Sequence, residues 1–167
     1  ADIKNIDHQA PVYTMRASTN DSAEVSLIEG GYFYCAVLDG ALQDIIYDKS
    51  VIFDFDSSMR LPVTFMEQGL DAVRAKSQCF ANKVPCAFVP VKKTLYSGEK
   101  ITFSAFAGFA TSIDLLNRKT PVFCGTGYVE EKFADARALV DTFTRDIRTR
   151  TGDPLFDKYV EQCYLDN

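Results

Sequence analysis

The strongest constraint in this sequence is a change of hydrophobic period near residue 127. Before it, short runs of aromatic and β-branched residues alternate with Gly-Gly, Asp-Gly and Ser-Gly punctuation, the pattern of antiparallel strands joined by tight turns. After it, Phe133, Ala136, Val140, Phe143 and Ile147 recur at spacings of three and four, which places them on one stripe of a helix. The pattern predicts a β-rich fold with C-terminal helices: an antiparallel β-sandwich over residues 1–126, then two linker helices over 127–167.

Within the β-rich stretch, residues 23–28 and 32–38 flank Glu29-Gly30-Gly31 and read as a hairpin. Asp39-Gly40 suits a turn with positive φ at both centres and leads into a strand over 42–47. Asp48-Lys49-Ser50 then turns the chain into a fourth strand over 51–55, completing a meander. Its alternation puts Val51, Phe53 and Phe55 on one face and Ile52, Asp54 and Asp56 on the other. Residues 57–90 carry Pro62, Pro85 and Pro90, with a short helical piece around 68–75. A second hairpin is expected from 92–96 and 100–108 around Ser97-Gly98-Glu99, with Ile101, Phe103, Ala105, Ala107 and Phe109 on one apolar face.

Beyond residue 127 a helix runs over about 128–150. Gly152 sits where a left-handed cap is wanted, and Asp153-Pro154 supplies an N-cap and a first-turn proline for another helix, with Leu155, Tyr159 and Cys163 on its apolar face. That last helix reads as an approach to something further along a longer polypeptide.

The chain's 167 residues, 47% of them hydrophobic, are enough for one buried core. Lys and Arg number 18 against 23 Asp and Glu, a net charge of -5, so no basic field exists for a nucleic acid or an anionic bilayer. The most apolar stretch, 101–110, falls well short of the roughly 20 residues of a membrane helix. No basic-then-apolar segment of the secretory kind opens the chain. Five scattered cysteines, an odd number, read as reduced thiols in a cytoplasmic setting. The one histidine, His8, lies near an end expected to fray, so neither a Cys/His pair nor a zinc site is expected, and no metal or cofactor is assigned. Asn20-Asp21-Ser22 matches a glycosylation acceptor, a triplet common by chance.

Four side chains are candidates for contact with carbohydrate. Asp54 and Asp56, on one strand face, offer charge-assisted acceptors to sugar hydroxyls, against the plainer reading of a solvated face. Tyr32 and Tyr34, two apart on one strand, offer rings for stacking, against the plainer reading of cross-strand packing. The absence of Trp weakens an independent sugar platform. Cys124-Gly125-Thr126-Gly127 lacks the Lys-Ser/Thr of a phosphate loop and reads as a strand-to-helix joint. Arg137, Arg145, Arg148 and Arg150 read as a solvated helix face.

Three segments carry a family resemblance: Asn82-Lys83-Val84-Pro85-Cys86-Ala87-Phe88, Tyr96-Ser97-Gly98-Glu99-Lys100 with Phe106-Ala107-Gly108-Phe109-Ala110, and above all the tail Ala136-Arg137-Ala138-Leu139, Asp153-Pro154-Leu155-Phe156-Asp157-Lys158-Tyr159 and Cys163-Tyr164-Leu165-Asp166-Asn167. Over residues 51–167 the chain resembles the amino-terminal region of glycoside hydrolase family 94, nearest the 1,2-β-oligoglucan phosphorylases and the phosphorylase-like part of cyclic β-1,2-glucan synthases. The resemblance implies part of a galactose-mutarotase-like supersandwich and linker helices that lead to an (α/α)6 catalytic barrel, which is absent here. It implies inverting phosphorolysis of β-glucan oligosaccharides by the whole polypeptide, with inorganic phosphate as co-substrate and no catalytic residue on this chain. Two alternatives stay open: a stand-alone carbohydrate-binding module and a structural interaction domain pairing through its helices. Oligomeric state is not legible.

Overall fold

A computed structural model describes residues 1–15 and 29–166, so the expected strand over 23–28 and the Asn20-Asp21-Ser22 triplet lie outside the described residues. Strand β3 (Gly31–Leu38) is the spine of the sheet. β5 (Phe103–Ala110) pairs with it antiparallel over its full length, from Gly31 opposite Ala110 to Leu38 opposite Phe103. β2 (Val12–Thr14) joins at Tyr32 and Phe33, β1 (Asp2–Lys4) pairs outside β2, and β4 (Ala41–Leu42) folds back on Val37 and Leu38. The Asp39-Gly40 turn has the expected positive φ at both centres, 51° and 76°.

Gly30 and Gly31 do more than punctuate. A Cβ on Gly30 would lie 2.1 Å from the Ala110 carbonyl oxygen, and one on Gly31 would lie 2.6 Å from that of Tyr13. The pair is needed because neighbouring backbones pass too close for any side chain.

Helices supply the rest: α1 (Ser50–Phe53), α2 (Val63–Ala75), α3 (Ile113–Phe123), α4 (Tyr128–Thr144) with a 3-10 turn at Arg145–Ile147, and α5 (Pro154–Leu165). The described residues form a mixed α/β chain with one antiparallel, curled sheet and five α-helices. None of these helices is long and apolar enough to cross a membrane.

Several expectations are corrected. Residues 51–55 are not a strand but lie largely in α1, because the Asp48 carboxylate accepts from both the Ser50 amide (3.0 Å) and its hydroxyl (2.6 Å) and starts a helical turn. The expected 42–47 strand shortens to β4 and a single bridge between Ile46 and Phe88. Residues 92–96 form no strand, and β5 finds β3 instead of a hairpin partner. The 68–75 helical piece is the C-terminal half of α2, which breaks at Gly69 (φ 80°, ψ 177°). α3 was not expected; it starts at Ser112, whose hydroxyl oxygen accepts from the Leu115 amide at 3.2 Å.

The chain divides into two compact units, Ala1–Thr126 and Gly127–Asn167. In the first, α3 packs on the sheet face that carries Phe33 and Cys35. Ala10, Val12, Cys35, Ala110 and Leu116 are buried there, and Phe123 stacks on Phe106 with ring centroids 4.8 Å apart. A second cluster gathers Ile46, Val51 and Val73 between the bridge, α1 and α2. Burial of Cys35 raises its thiol to about 11, with the neighbouring Cys124 adding to the effect. None of the five cysteines is in a disulfide.

In the second unit Gly127 enters α4 with φ 82°, so Cys124-Gly125-Thr126-Gly127 joins two helices rather than a strand to a helix. α5 starts as its sequence requires: the Asp153 carboxylate accepts from the Leu155 and Phe156 amides, Pro154 opens the first turn, and Gly152 has φ 92°.

Candidate functional site

Residue alternation along β3 and β5 sorts their side chains onto two faces. Phe33, Cys35 and Phe106 turn inward to α3, leaving Tyr32, Tyr34, Phe103, Ala105, Ala107 and Phe109 on the other face. The apolar stripe of β5 is therefore largely open: Phe103 is 52% exposed and Phe109 59%. Tyr32 and Tyr34 do share a face. Tyr32, 65% exposed, meets Phe109 edge-on at 5.4 Å and 78°. Tyr34 is half-buried, beside Tyr13, whose hydroxyl donates to the Cys86 carbonyl at 2.6 Å. Rings set at right angles leave one ring face for stacking rather than a flat platform.

Asp54 and Asp56 do not lie on one strand face, because there is no strand. Asp54 closes α1 with φ 51° and pairs with the Lys76 ammonium at 3.2 Å, tying α1 to the end of α2. Asp56 Oδ1 accepts from the Ser58 amide and hydroxyl, while Oδ2 accepts from the Arg60 amide at 2.9 Å and the Leu61 amide at 2.7 Å. The Ser58 hydroxyl and the Leu61 amide lead in holding this carboxyl down at about 2. The Asp56 carboxylate organises backbone, whereas that of Asp54 pairs with a side chain.

Two features escaped the sequence reading. Asp48 is a buried acid: Oδ1 receives Ser50 and the Lys83 ammonium (3.2 Å), and Oδ2 receives the Cys79 amide (2.9 Å). Burial pushes its carboxyl up, but the bonds from Ser50, Cys79 and Lys83 outweigh that and hold it below the ordinary carboxylate range.

The second is the loop between β1 and β2, which is fixed where fraying was expected. Asn5 takes φ 61°, its carbonyl accepts from the His8 amide at 3.1 Å, and its amide group donates to the Ala10 carbonyl at 2.8 Å. Asn5 and Asn117 of α3 also exchange side-chain hydrogen bonds of 2.9 and 3.1 Å. This loop sets Asp7, His8 and Gln9 opposite Asp44, to which Gln9 donates at 3.1 Å. Reciprocal amide pairing across 112 positions leaves no signal in local periodicity.

In the helical unit, Phe133, Ala136 and Val140 line an apolar hollow on α4 with Arg137 and Asp141. No protein-family model matches the chain, and neither a curated protein nor a solved structure matches it.

Proposed function

We propose that this chain is a non-catalytic portion of an inverting glycoside phosphorylase acting on β-1,2-linked glucan oligosaccharides in the cytoplasm. On this reading the sheet unit is a share of a galactose-mutarotase-like supersandwich, and Gly127–Asn167 leads toward an (α/α)6 barrel that holds the catalytic groups. The observation that carries the reading is the tail in which the resemblance is densest. It folds as a helix with a defined start, and its apolar side chains Leu155 (78% exposed), Phe156 (50%) and Tyr159 (64%) remain open for packing. Asp157 fastens the approach by accepting from the Thr149 and Thr151 hydroxyls at 2.7 and 3.0 Å.

In the whole enzyme, an acidic side chain of the barrel protonates the glycosidic oxygen while inorganic phosphate attacks the anomeric carbon from the opposite face, releasing α-glucose 1-phosphate. This chain would support and orient that machinery. The test is to express the complete polypeptide from its source gene and supply sophorose with α-glucose 1-phosphate. Phosphate release is expected, and none from the intact polypeptide, with sophorose or longer 1,2-glucans as acceptor, refutes the reading.

The open Tyr32–Phe109 pair favours a second reading, a stand-alone carbohydrate-binding unit. That reading requires saccharide binding by the 167-residue chain which Tyr32→Ala abolishes.

A further inference from the structure

The β1–β2 loop stands between two small clefts of the first unit. One, of about 230 Å3, has the buried Ile45, Ile46 and Tyr47 as its floor and is lined also by Arg74 and Pro90. The other, of about 270 Å3, is closed by Ala10, Leu42 and Thr120. Asp7, His8, Gln9 and Asp44 line both. Each cleft lies below the roughly 300–1,000 Å3 that encloses a drug-sized ligand, on the scale of a single sugar ring.

The lining is built rather than incidental. The loop is locked by Asn5 and Asn117, and the floor is held from both edges. Gln78 Oε1 accepts from the Tyr47 amide at 2.8 Å, and Ile46 and Phe88 exchange backbone bonds of 2.9 Å. Arg74 is set by its hydrogen bond to the Pro90 carbonyl oxygen. A site whose walls are already ordered loses little entropy when a ligand enters.

We propose that these adjoining clefts are two subsites for neighbouring residues of an oligosaccharide, with the Gln9–Asp44 hydrogen bond marking the boundary between them. A sugar hydroxyl donates and accepts at once, so it needs acceptor-only and donor-only groups in one place. Asp7 and Asp44 are the first kind and Arg74 the second, while Gln9 is both. Ile6, which also lines the first cleft and is 40% exposed, offers apolar surface to the C–H face of a ring. Two carboxylates repel a phosphate dianion, and the guanidinium in the first cleft repels a cation. That the sugar is a β-1,2-glucan rests on the proposed function; that it is a saccharide rests on the lining.

His8 is the one histidine of the chain, so its ring C–H resonances report on the loop without assignment ambiguity. Sophorose titrated at fixed pH into the isotope-labelled 167-residue chain is expected to shift the His8 signals saturably. Asp44→Ala and, independently, Gln9→Glu are expected to weaken binding about ten-fold or more, the size of losing one charge-assisted hydrogen bond. Both positions are exposed, and an unchanged melting temperature confirms folding. Sophorose that leaves His8 unmoved, or binds both variants as tightly as the unaltered chain, overturns the proposal, as does a response confined to Tyr32 and Phe109. Phosphate release by the complete polypeptide is read separately. A chain that binds sophorose here within an inactive polypeptide refutes the enzymatic reading alone, and an active polypeptide with a silent His8 refutes the subsites alone.

Discussion

Asp48 joins the start of α1 to the segment at residues 79–83. Its carboxylate starts α1, holds Cys79 and receives the Lys83 ammonium, all while 2% exposed. Replacing it with Ala leaves Lys83 without its anion and two amides without an acceptor, so a loss of about 3–5 kcal/mol is expected in urea unfolding at neutral pH. The acid limb follows from the same contacts. The folded carboxyl lies below its ordinary value, so on acidification the unfolded chain takes up the proton first. The stabilisation is complete above about pH 4, the unfolded value, and is lost as pH falls through the folded value. Asp48→Asn is expected to flatten that part of a stability-against-pH curve, and an acid limb that the substitution leaves unchanged would contradict the assignment. The same residue shows where sequence reading stopped. Asp48-Lys49-Ser50 is legible as a turn, but six residues of alternation at 51–56 fit a strand until the Asx contact with Ser50 commits the chain to helix.

Elements were more legible where their signals are local. The Asp39-Gly40 turn, the β3 strand, the start of α4 after Gly127 and the Asp153-Pro154 cap each rest on residues adjacent in sequence, and all appear as expected. β5 exposes the limit: its alternation is visible, but which face turns inward depends on α3 and Phe123, which alternation does not contain. Of the four candidate contact residues, only the shared face of Tyr32 and Tyr34 could be read this way, because it needs nothing beyond strand period. The break in α2 is likewise a property of one residue in an element. Gly69 sits at φ 80° and ψ 177°, a conformation only glycine takes readily, and a Cβ there would meet no atom within 4 Å. Gly69→Ala is therefore expected to cost about 1–3 kcal/mol through backbone strain alone, with no clash to relieve. Thermal unfolding measures it directly. An unchanged or raised melting temperature would mean that α2 straightens at no cost.

At the scale of the whole molecule, stability is expected to be uneven. The first unit owns both buried clusters, whereas α4 buries only Thr144 among its residues and α5 buries none. A 17-residue helix that packs little of its apolar stripe depends on intrinsic propensity, which is marginal in water at this length. Phe133 (64% exposed), Leu139 (55%) and Phe143 (55%) are the side chains whose burial would have to supply the rest. Hydrogen exchange on the 167-residue chain is expected to show the slowest amides in β3 and β5 and exchange in α4 faster by orders of magnitude, because its local opening needs no disruption of the sheet core. Equal protection in α4 and β3 would mean that the two units unfold as one. The complete polypeptide gives the same measurement a second use. If α4 and α5 are linker helices, their open apolar side chains become buried against the rest of the enzyme, and their amides should slow toward those of β3. A structural domain that works alone predicts identical α4 exchange in both preparations, so the ratio separates the linker reading from its rivals even in a preparation that turns over no sugar.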